Sequence, residues 1–373
     1  MNTIGLGEKR AVWPTLKPYL AVFDWPLSII LGLIFLASTI TMYSAGIDFP
    51  GRLESHVRNF LLAFLVMWLA AVVSPQTLMR FAVPIYLVGV GLLISVELFG
   101  IIKKGAQRWI NVGVVIQPSE IMKIATPLML AWWFQKREGA IRWAEFVVAA
   151  ILLMIPVALI MKQPDLGTAL LVMGAGFFVI FLAGLPWKVI FALMLAGAAF
   201  LPVGWSMMHD YQRQRVMTLL DPTSDPLGKG FHIIQSMIAI GSGGPMGKGW
   251  MNGTQGHLQF IPERTTDFVF AVYSEEFGLI GNILLLIVYL MLIGRGLLIA
   301  ANAPTLFSRL LAGALSLMFF TYAFVNMGMV AGILPVVGVP LPFMSYGGTA
   351  FVTLGLGVGI LMSIQRHRKL VQT

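Results

Sequence analysis

Long apolar runs occupy most of this chain and leave few folds open to it. A helix needs roughly 20 apolar residues to cross the hydrocarbon core of a bilayer. Ten runs predict ten membrane-spanning helices, at about 26–45, 59–74, 81–100, 118–134, 146–162, 168–184, 187–207, 268–294, 307–331 and 346–364. Only 11% of the residues are charged, against roughly 25% in soluble domains. The predicted fold class is an all-α integral membrane protein, with residues 1–373 as one polytopic membrane domain.

The positions of lysine and arginine predict the orientation. With ten spans, both termini lie on one side, and the short loops of that side carry most of the short-loop Lys and Arg. The positive-inside rule therefore predicts that both termini are cytoplasmic.

The first apolar run has no cleavage site and is followed by many others, so no cleavable signal peptide is expected. No long basic helix is visible, so nucleic acid is not an expected partner.

The longest polar segment, about 208–267, is expected on the outer side. Loops of this length are usually functional or disordered. Residues 231–240 within it are apolar enough to form an interfacial helix. Basic side chains on the outer side are either solvated, or paired with Asp210, Asp221 and Asp225, or available to bind a diphosphate. The candidates for the second role are Arg213, Arg215, Lys248 and Arg264.

The stretch 241–249 is rich in glycine and resembles a phosphate-binding loop around Lys248. Ser242 and Gly249 stand where the Walker pattern requires a glycine and a hydroxyl residue. Two alternatives remain, a set of tight turns and a group of backbone N–H donors for an anion.

Asp267 stands at the outer end of the eighth predicted span. At about 100° per residue, it shares a stripe with Ala271, Ser274 and Gly278, which indicates contact with protein or a cavity rather than lipid. Its carboxylate would either stabilise the helix N-terminus or act in catalysis. The five histidines are scattered without metal-ligand spacing, and no nucleophile elbow or dinucleotide motif competes with it.

Two charged positions near or within the spans have competing interpretations. Glu120 and Lys123 share a face of the fourth span, where they would either neutralise each other or line a polar path. In either case they should face the bundle interior. Asp165, before the sixth span, would either cap that helix or pair with a residue such as Lys123 on another helix.

Gln107, Arg108 and Trp109 precede the fourth span in an outer loop. A Trp at this height is expected to anchor the interface. The alternative is a sugar site, where the indole stacks on a ring while Gln107 and Arg108 supply hydrogen bonds.

Four segments together resemble the SEDS family (shape, elongation, division and sporulation). They are G-A-Q-R-W-I, Q-P-D-L-G-T-A, P-E-R-T-T-D-F-V-F-A-V-Y-S-E-E-F-G-L-I-G and G-I-L-P-V-V-G-V-P-L-P-F-M-S-Y-G-G, in this order on a ten-span plan. The stretch H-I-I-Q-S-M-I-A-I-G-S-G-G followed by G-K-G-W is more similar to the elongation branch, typified by RodA, than to the division branch, typified by FtsW. The resemblance covers nearly the whole chain.

The resemblance implies a peptidoglycan glycosyltransferase that polymerises lipid II on the outer face of the bacterial cytoplasmic membrane. The essential aspartate of the family falls on Asp267, and its intramembrane polar residues fall on Glu120, Lys123 and Asp165. Ser345, in the last motif, is a further candidate for substrate contact. The implied partners are a class B penicillin-binding protein and the cell-shape elongation complex.

Glycosyl transfer from a diphosphate needs a base for the acceptor hydroxyl and positive charge for the leaving group. Asp267 is the predicted base. The outer basic residues, or a divalent cation such as Mg²⁺ or Mn²⁺, would stabilise the diphosphate, and no organic cofactor is expected. Two alternatives to this enzyme are a flippase for the same lipid and a non-catalytic scaffold of the elongation complex.

Overall fold

The structure is a computed structural model that describes residues 22–103, 106–111, 113, 115–208, 210–224, 229–258, 260–261 and 263–368. Its helices are α1 Trp25–Ala45, α2 Arg52–Val72, α3 Pro75–Phe99, α4 Pro118–Gln135, α5 Trp143–Lys162, α6 Leu166–Leu182, α7 Trp187–Met207, α8 Asp210–Leu220, α9 Lys229–Ser242, α10 Thr254–His257, α11 Val269–Ala301, α12 Leu306–Val330 and α13 Gly348–His367. A short 3₁₀ turn covers Pro222–Ser224. Three antiparallel strands, β1 Ile101–Lys103, β2 Ala106–Asn111 and β3 Val115–Ile116, lie between α3 and α4.

All ten predicted spans are confirmed as helices. Within the described residues, eight helices are long and apolar enough to cross a membrane. The other two are α6, which has 17 residues, and α4, which carries Glu120 and Lys123. The chain is therefore a multi-pass membrane protein. We call the end of the bundle that holds the strands and Asp267 the outer end, after the orientation that the charges predict, and the opposite end the inner end.

Helix α12 is the centre of the bundle and packs against α4, α6 and α11. Helix α13 packs chiefly on α2, where Gly355 and Gly359 leave no room for a side chain against the α2 backbone. At the edge, α7 has no buried side chain among its residues 187–206. A connected apolar core therefore runs through α1–α6 and α11–α13 and leaves α7 facing outward.

The long outer segment is largely helical. The helix predicted at 231–240 is confirmed as α9, which packs against α11. The hydroxyl of Ser236, on α9, donates to the carbonyl of Val330 at the end of α12 over 2.8 Å. This segment is therefore held against the outer ends of two core helices.

A break in α11 holds the glycine-rich stretch in place. Gly278 has φ 63° and interrupts the helix, and the chain of 244–249 fills the gap. The N–H groups of Lys248 and Gly249 donate to the carbonyls of Glu275 and Glu276, each over 3.0 Å, and the N–H of Leu279 donates to the carbonyl of Gly244 over 2.9 Å. The N–H groups of Lys248 and Gly249 are thus used inside the protein, which argues against anion binding by these two donors.

Candidate active site

Asp267 lies two residues before α11, in the turns that follow Glu263, and not on the helix itself. The predicted helical stripe therefore begins at Ala271. The side chain of Asp267 is half-buried and lies against the final outer loop, because a Cβ on Gly338 would stand 3.4 Å from its Oδ2. The structure thus brings the carboxylate against the loop of residues 332–347, which carries the last of the four motifs.

Asn326, on α12, holds these two segments together. Its Nδ2 donates to the main-chain carbonyl of Asp267 over 2.9 Å and to the carbonyl of Val339 over 2.7 Å. The side chain is fully buried. Sequence reasoning missed this residue, although an asparagine inside the apolar run 307–331 was a usable signal, because a buried amide must find hydrogen-bond partners.

Asp165 caps α6 and also receives partners from other segments. Its Oδ1 accepts from the N–H of Thr168 over 3.2 Å, and its Oδ2 accepts from Gln117 over 2.9 Å. Arg108 lies 3.7 Å from Oδ1 and donates to the carbonyl of Gln163 over 3.2 Å. The capping interpretation of Asp165 is therefore confirmed, and its further partners are Arg108 on β2 and Gln117 before α4 in place of the suggested Lys123.

The final loop connects Asp165 to Asp267. A Cβ on Gly167, in the first turn of α6, would stand 2.6 Å from the carbonyl oxygen of Val337. The next residue along the loop, Gly338, faces the carboxylate of Asp267. The capped start of α6 and the candidate base therefore flank the same two residues of the final loop.

Glu120 and Lys123 form an ion pair in the bundle interior, with 2.6 Å between Nζ and Oε1. Thr353 donates to the other oxygen of Glu120 over 3.2 Å, and the Lys123 ammonium lies 5.2 Å from the centre of the Tyr322 ring. Lys123 is only 2% exposed. Mutual neutralisation explains the pair, and the expected inward direction is confirmed.

Gln107 and Trp109 lie on β2 together with Arg108. The amide of Gln107 donates to the carbonyls of Val96 and Gly100, over 3.0 and 3.1 Å, and so closes the end of α3. Trp109 is half-buried and pairs in register with Ile101. The Gln107 amide is thereby used within the fold, which argues against the predicted sugar contact for that side chain.

Arg264 and Ser345 are buried and bonded within the protein. Arg264 is 1% exposed, donates to the carbonyl of Ala45 over 2.8 Å and forms an ion pair with Asp48. Ser345 is 2% exposed, and its hydroxyl oxygen accepts from the N–H of Leu341 over 2.8 Å. Burial and internal partners argue against the predicted diphosphate contact of Arg264 and the substrate contact of Ser345.

Lys248 is also committed to an internal partner. Its Nζ lies 2.7 Å from Oε1 of Glu275, a carboxylate that is fully buried below the glycine-rich stretch. The same carboxylate accepts from the N–H groups of Thr254 and Gln255. Lys248 therefore fastens the outer segment to the break in α11, which argues against its predicted diphosphate role.

The two arginines of α8 differ in their surroundings. Arg213 donates to the carbonyls of Trp205 and Ser206, over 3.0 and 2.6 Å, and so closes the end of α7. Arg215 lines a cavity of about 530 Å³ at the outer end, together with Lys162 from α5 and Val337 from the final loop. Val337 precedes Gly338, so the cavity reaches the loop residues that flank Asp267. Of the four predicted diphosphate cations, Arg215 is therefore the one that shares a lined cavity with this loop.

Metal ligands are sparse at this site. Among the residues that the structure describes, no group of three or more His, Asp or Glu side chains is placed to hold a metal ion. Divalent cations such as Mg²⁺ usually combine one or two carboxylates with substrate phosphates and water. The described side chains alone therefore do not form a metal centre.

The fold and this outer polar site define a polytopic membrane protein with a half-buried carboxylate near a cavity that Lys162 and Arg215 line. The family model described as cell cycle protein, for FtsW, RodA and SpoVE, matches residues 19–370. The chain belongs to this family.

Several relatives match nearly the whole chain. The peptidoglycan glycosyltransferase MrdB of Escherichia coli K12 is 50% identical over 366 residues, which cover 98% of each chain. MrdB of Helicobacter pylori J99 is 34% identical, over 97% of this chain and 92% of the relative. The peptidoglycan glycosyltransferase RodA of Treponema pallidum is 31% identical, over 93% of this chain and 99% of the relative.

Solved structures agree with the fold. A chain from a peptidoglycan synthase complex, described as coordinating polymerization and crosslinking, superposes with a TM-score of 0.81 at 34% identity. RodA of Thermus thermophilus, a rod shape determining protein, superposes with a TM-score of 0.71 at 29% identity. Each match covers 93% of this chain and 98% of the other. The all-α membrane fold and the elongation-type resemblance are thereby confirmed.

Proposed function

We propose that this chain polymerises lipid II into glycan strands during cell elongation, with Asp267 as the general base. The chain belongs to the family and is 50% identical to a peptidoglycan glycosyltransferase over 98% of its length. These two findings support the activity, so the protein is a glycosyltransferase. The observation that carries the role of Asp267 is its half-buried carboxylate, held against Gly338 beside a basic outer cavity.

The proposed reaction is a single displacement. Asp267 accepts the proton of an acceptor sugar hydroxyl, the GlcNAc 4-OH, while that oxygen attacks the anomeric carbon of the donor. The bond from this carbon to the diphosphate breaks, and its electron pair leaves on the diphosphate oxygen. The attack comes from the face opposite the leaving group, so the configuration inverts. A base held within reach contributes roughly 10²–10⁴-fold to such a step.

Arg215 and Lys162 are the proposed partners of the departing diphosphate, and Lys162 would exchange its exposed ion pair of 3.6 Å with Glu97 for this contact. Both line the outer cavity, and the loop residue Val337 joins that cavity to the segment beside Asp267. Positive charge at the leaving group stabilises the transition state more than the ground state, because charge develops there as the bond breaks. A divalent cation, if the reaction uses one, would take most of its ligands from the diphosphate and water.

Asp165 and Arg108 are proposed to shape the other side of the substrate site. They clamp the turn before α6 that faces the final loop, through the contacts to Gln163 and Thr168. Trp109, half-buried on β2, is the proposed surface for a sugar ring. Glu120 and Lys123 stiffen the bundle below this site.

The proposed setting is the bacterial inner membrane, with both termini in the cytoplasm and the site on the outer face. A class B penicillin-binding protein is the proposed partner. The structural match to a complex that coordinates polymerization and crosslinking supports this pairing.

The experiment that tests the reaction uses purified full-length protein and labelled lipid II in detergent micelles. Wild type should yield glycan polymer, and Asp267→Asn should yield none. Asp210→Asn, which removes an exposed carboxylate from the same outer segment, is the matched control and should remain active.

The same protein in vesicles separates the enzyme from a flippase. A flippase would translocate lipid II in both wild type and Asp267→Asn, and wild type would form no polymer. That pair of results would support transport instead. If the protein is only a scaffold, Asp267→Asn should restore rod shape to cells that lack the wild-type protein.

A further inference from the structure

A second cavity lies at the inner end of the bundle, remote from Asp267. It encloses about 290 Å³ between the end of α6, the end of α11 and the first turns of α12. Leu182, Leu297, Ala300 and Leu306 give it apolar walls, and among the described residues that line it Arg309 alone is charged. The mechanism proposed for the outer site uses none of these residues.

Small side chains make this crevice. Ala300 and Ala301 end α11 with methyl groups, and Gly313 gives α12 no side chain at all. A Cβ on Gly313 would stand 2.5 Å from Cδ1 of Leu182, so the packed α6–α12 contact closes one wall. Leu182 itself is 39% exposed, which leaves its outer side toward the bilayer. The space is apolar and suits a hydrocarbon chain.

Arg309 supplies charge at the mouth of the crevice. It is exposed, and no carboxylate of the described residues forms an ion pair with it. It belongs to the first turn of α12, where the helix dipole also favours an anion. The carboxyl ends of α6 and α11 carry a partial negative charge, which offsets the positive end of α12. The guanidinium of Arg309 is therefore the group that would attract an anion to this crevice.

We propose that the crevice binds an anionic glycerophospholipid. The guanidinium of Arg309 holds the phosphate, which a planar arginine meets with two parallel N–H donors, and one acyl chain lies along Leu182 and Ala300. Basic pockets between spans at the cytoplasmic side are recurrent sites for anionic headgroups. A zwitterionic lipid presents its own ammonium group beside the phosphate, so net negative charge should decide the preference. This site does not depend on the proposed reaction.

Native mass spectrometry of the delipidated full-length protein tests this site. The probes are phosphatidylglycerol and phosphatidylcholine with identical acyl chains. Wild type should retain phosphatidylglycerol in preference, and Arg309→Gln should lower that retention about five-fold, as expected for one cation near the lipid surface. Arg309→Lys, which keeps the charge, should retain most of it.

Two further variants separate the crevice from general charge. Arg80→Gln removes another exposed inner cation, from α3, and should leave retention unchanged. Ala301→Leu narrows the crevice at an exposed position and should lower retention while Arg309 is intact. Equal retention of the two lipids by wild type, or equal loss in Arg80→Gln and Arg309→Gln, would overturn the proposal.

Discussion

Asn326 and Asp267 are joined by a hydrogen bond of 2.9 Å from the side-chain amide of one to the main-chain carbonyl of the other. The same amide group donates to Val339 over 2.7 Å. One buried side chain therefore fixes the position of the candidate base relative to the final loop. Precision of this kind matters because a proton acceptor contributes only when it is within reach of its proton.

We expect Asn326→Asp to impair the enzyme strongly. The substitution places a carboxylate oxygen against one of two carbonyl oxygens in a buried site, and the lost donor leaves an acceptor unpaired at a cost of about 1–3 kcal/mol. Both the melting temperature in detergent and the rate of glycan polymerisation should fall. Asn302→Asp is the control, because water can replace its hydrogen bond to the carbonyl of Leu298 at this exposed inner position, and it should lower both values far less. A wild-type rate in Asn326→Asp would refute the positioning role.

The break in α11 predicts a sharp difference between two glycines of one helix. Gly278 has φ 63°, and a Cβ there would stand 2.2 Å from the main-chain nitrogen of Gly247. Gly278→Ala should therefore destabilise the protein by more than about 2 kcal/mol. Gly294→Ala, where a Cβ meets open space, should be neutral or slightly stabilising. Thermal unfolding of the two variants checks this, and equal melting temperatures would contradict the described break.

The Glu120–Lys123 pair lends itself to a double-mutant cycle. Lys123→Met leaves the Glu120 carboxylate without its partner in the bundle interior and should cost about 3–5 kcal/mol. Adding Glu120→Gln removes the stranded charge and should recover much of that stability. If the pair is structural, polymerisation recovers with stability. A double variant that is stable but inactive would instead assign the pair a direct part in the reaction.

Most of the fold was predictable from the sequence, because apolar run length determines which segments can cross a bilayer. The sequence could not decide between pairing and diphosphate binding where the partners come from distant segments. Lys248 and Arg264 look like free outer cations in the sequence, yet one pairs with Glu275 and the other with Asp48. The break at Gly278 was hidden for the same reason. The main-chain groups that form hydrogen bonds with the broken helix lie about thirty residues earlier in the chain. Asp267 itself was identified by its motif, and its contact with Gly338 required the structure.

Arg213 and Arg215 offer a matched pair for the leaving-group site. Arg215 lines the outer cavity, whereas Arg213 closes the end of α7. Arg215→Gln should slow polymerisation about ten- to a hundred-fold, the scale of one charge-assisted contact to a diphosphate. Arg213→Gln removes the same charge two residues away and should have a smaller effect. The rates of the two variants with labelled lipid II decide between a specific contact and a general attraction, and equal losses would exclude the specific one.

The role of Asp267 is tested most directly by single-turnover polymerisation with the purified protein and labelled lipid II. Asp267→Asn keeps the size and the main-chain contact to Asn326 but removes the proton acceptor. We expect a folded protein with a cooperative thermal transition and a rate at least about 100-fold below wild type, as for loss of a general base. A folded Asp267→Asn protein that polymerises lipid II at the wild-type rate would contradict the mechanism.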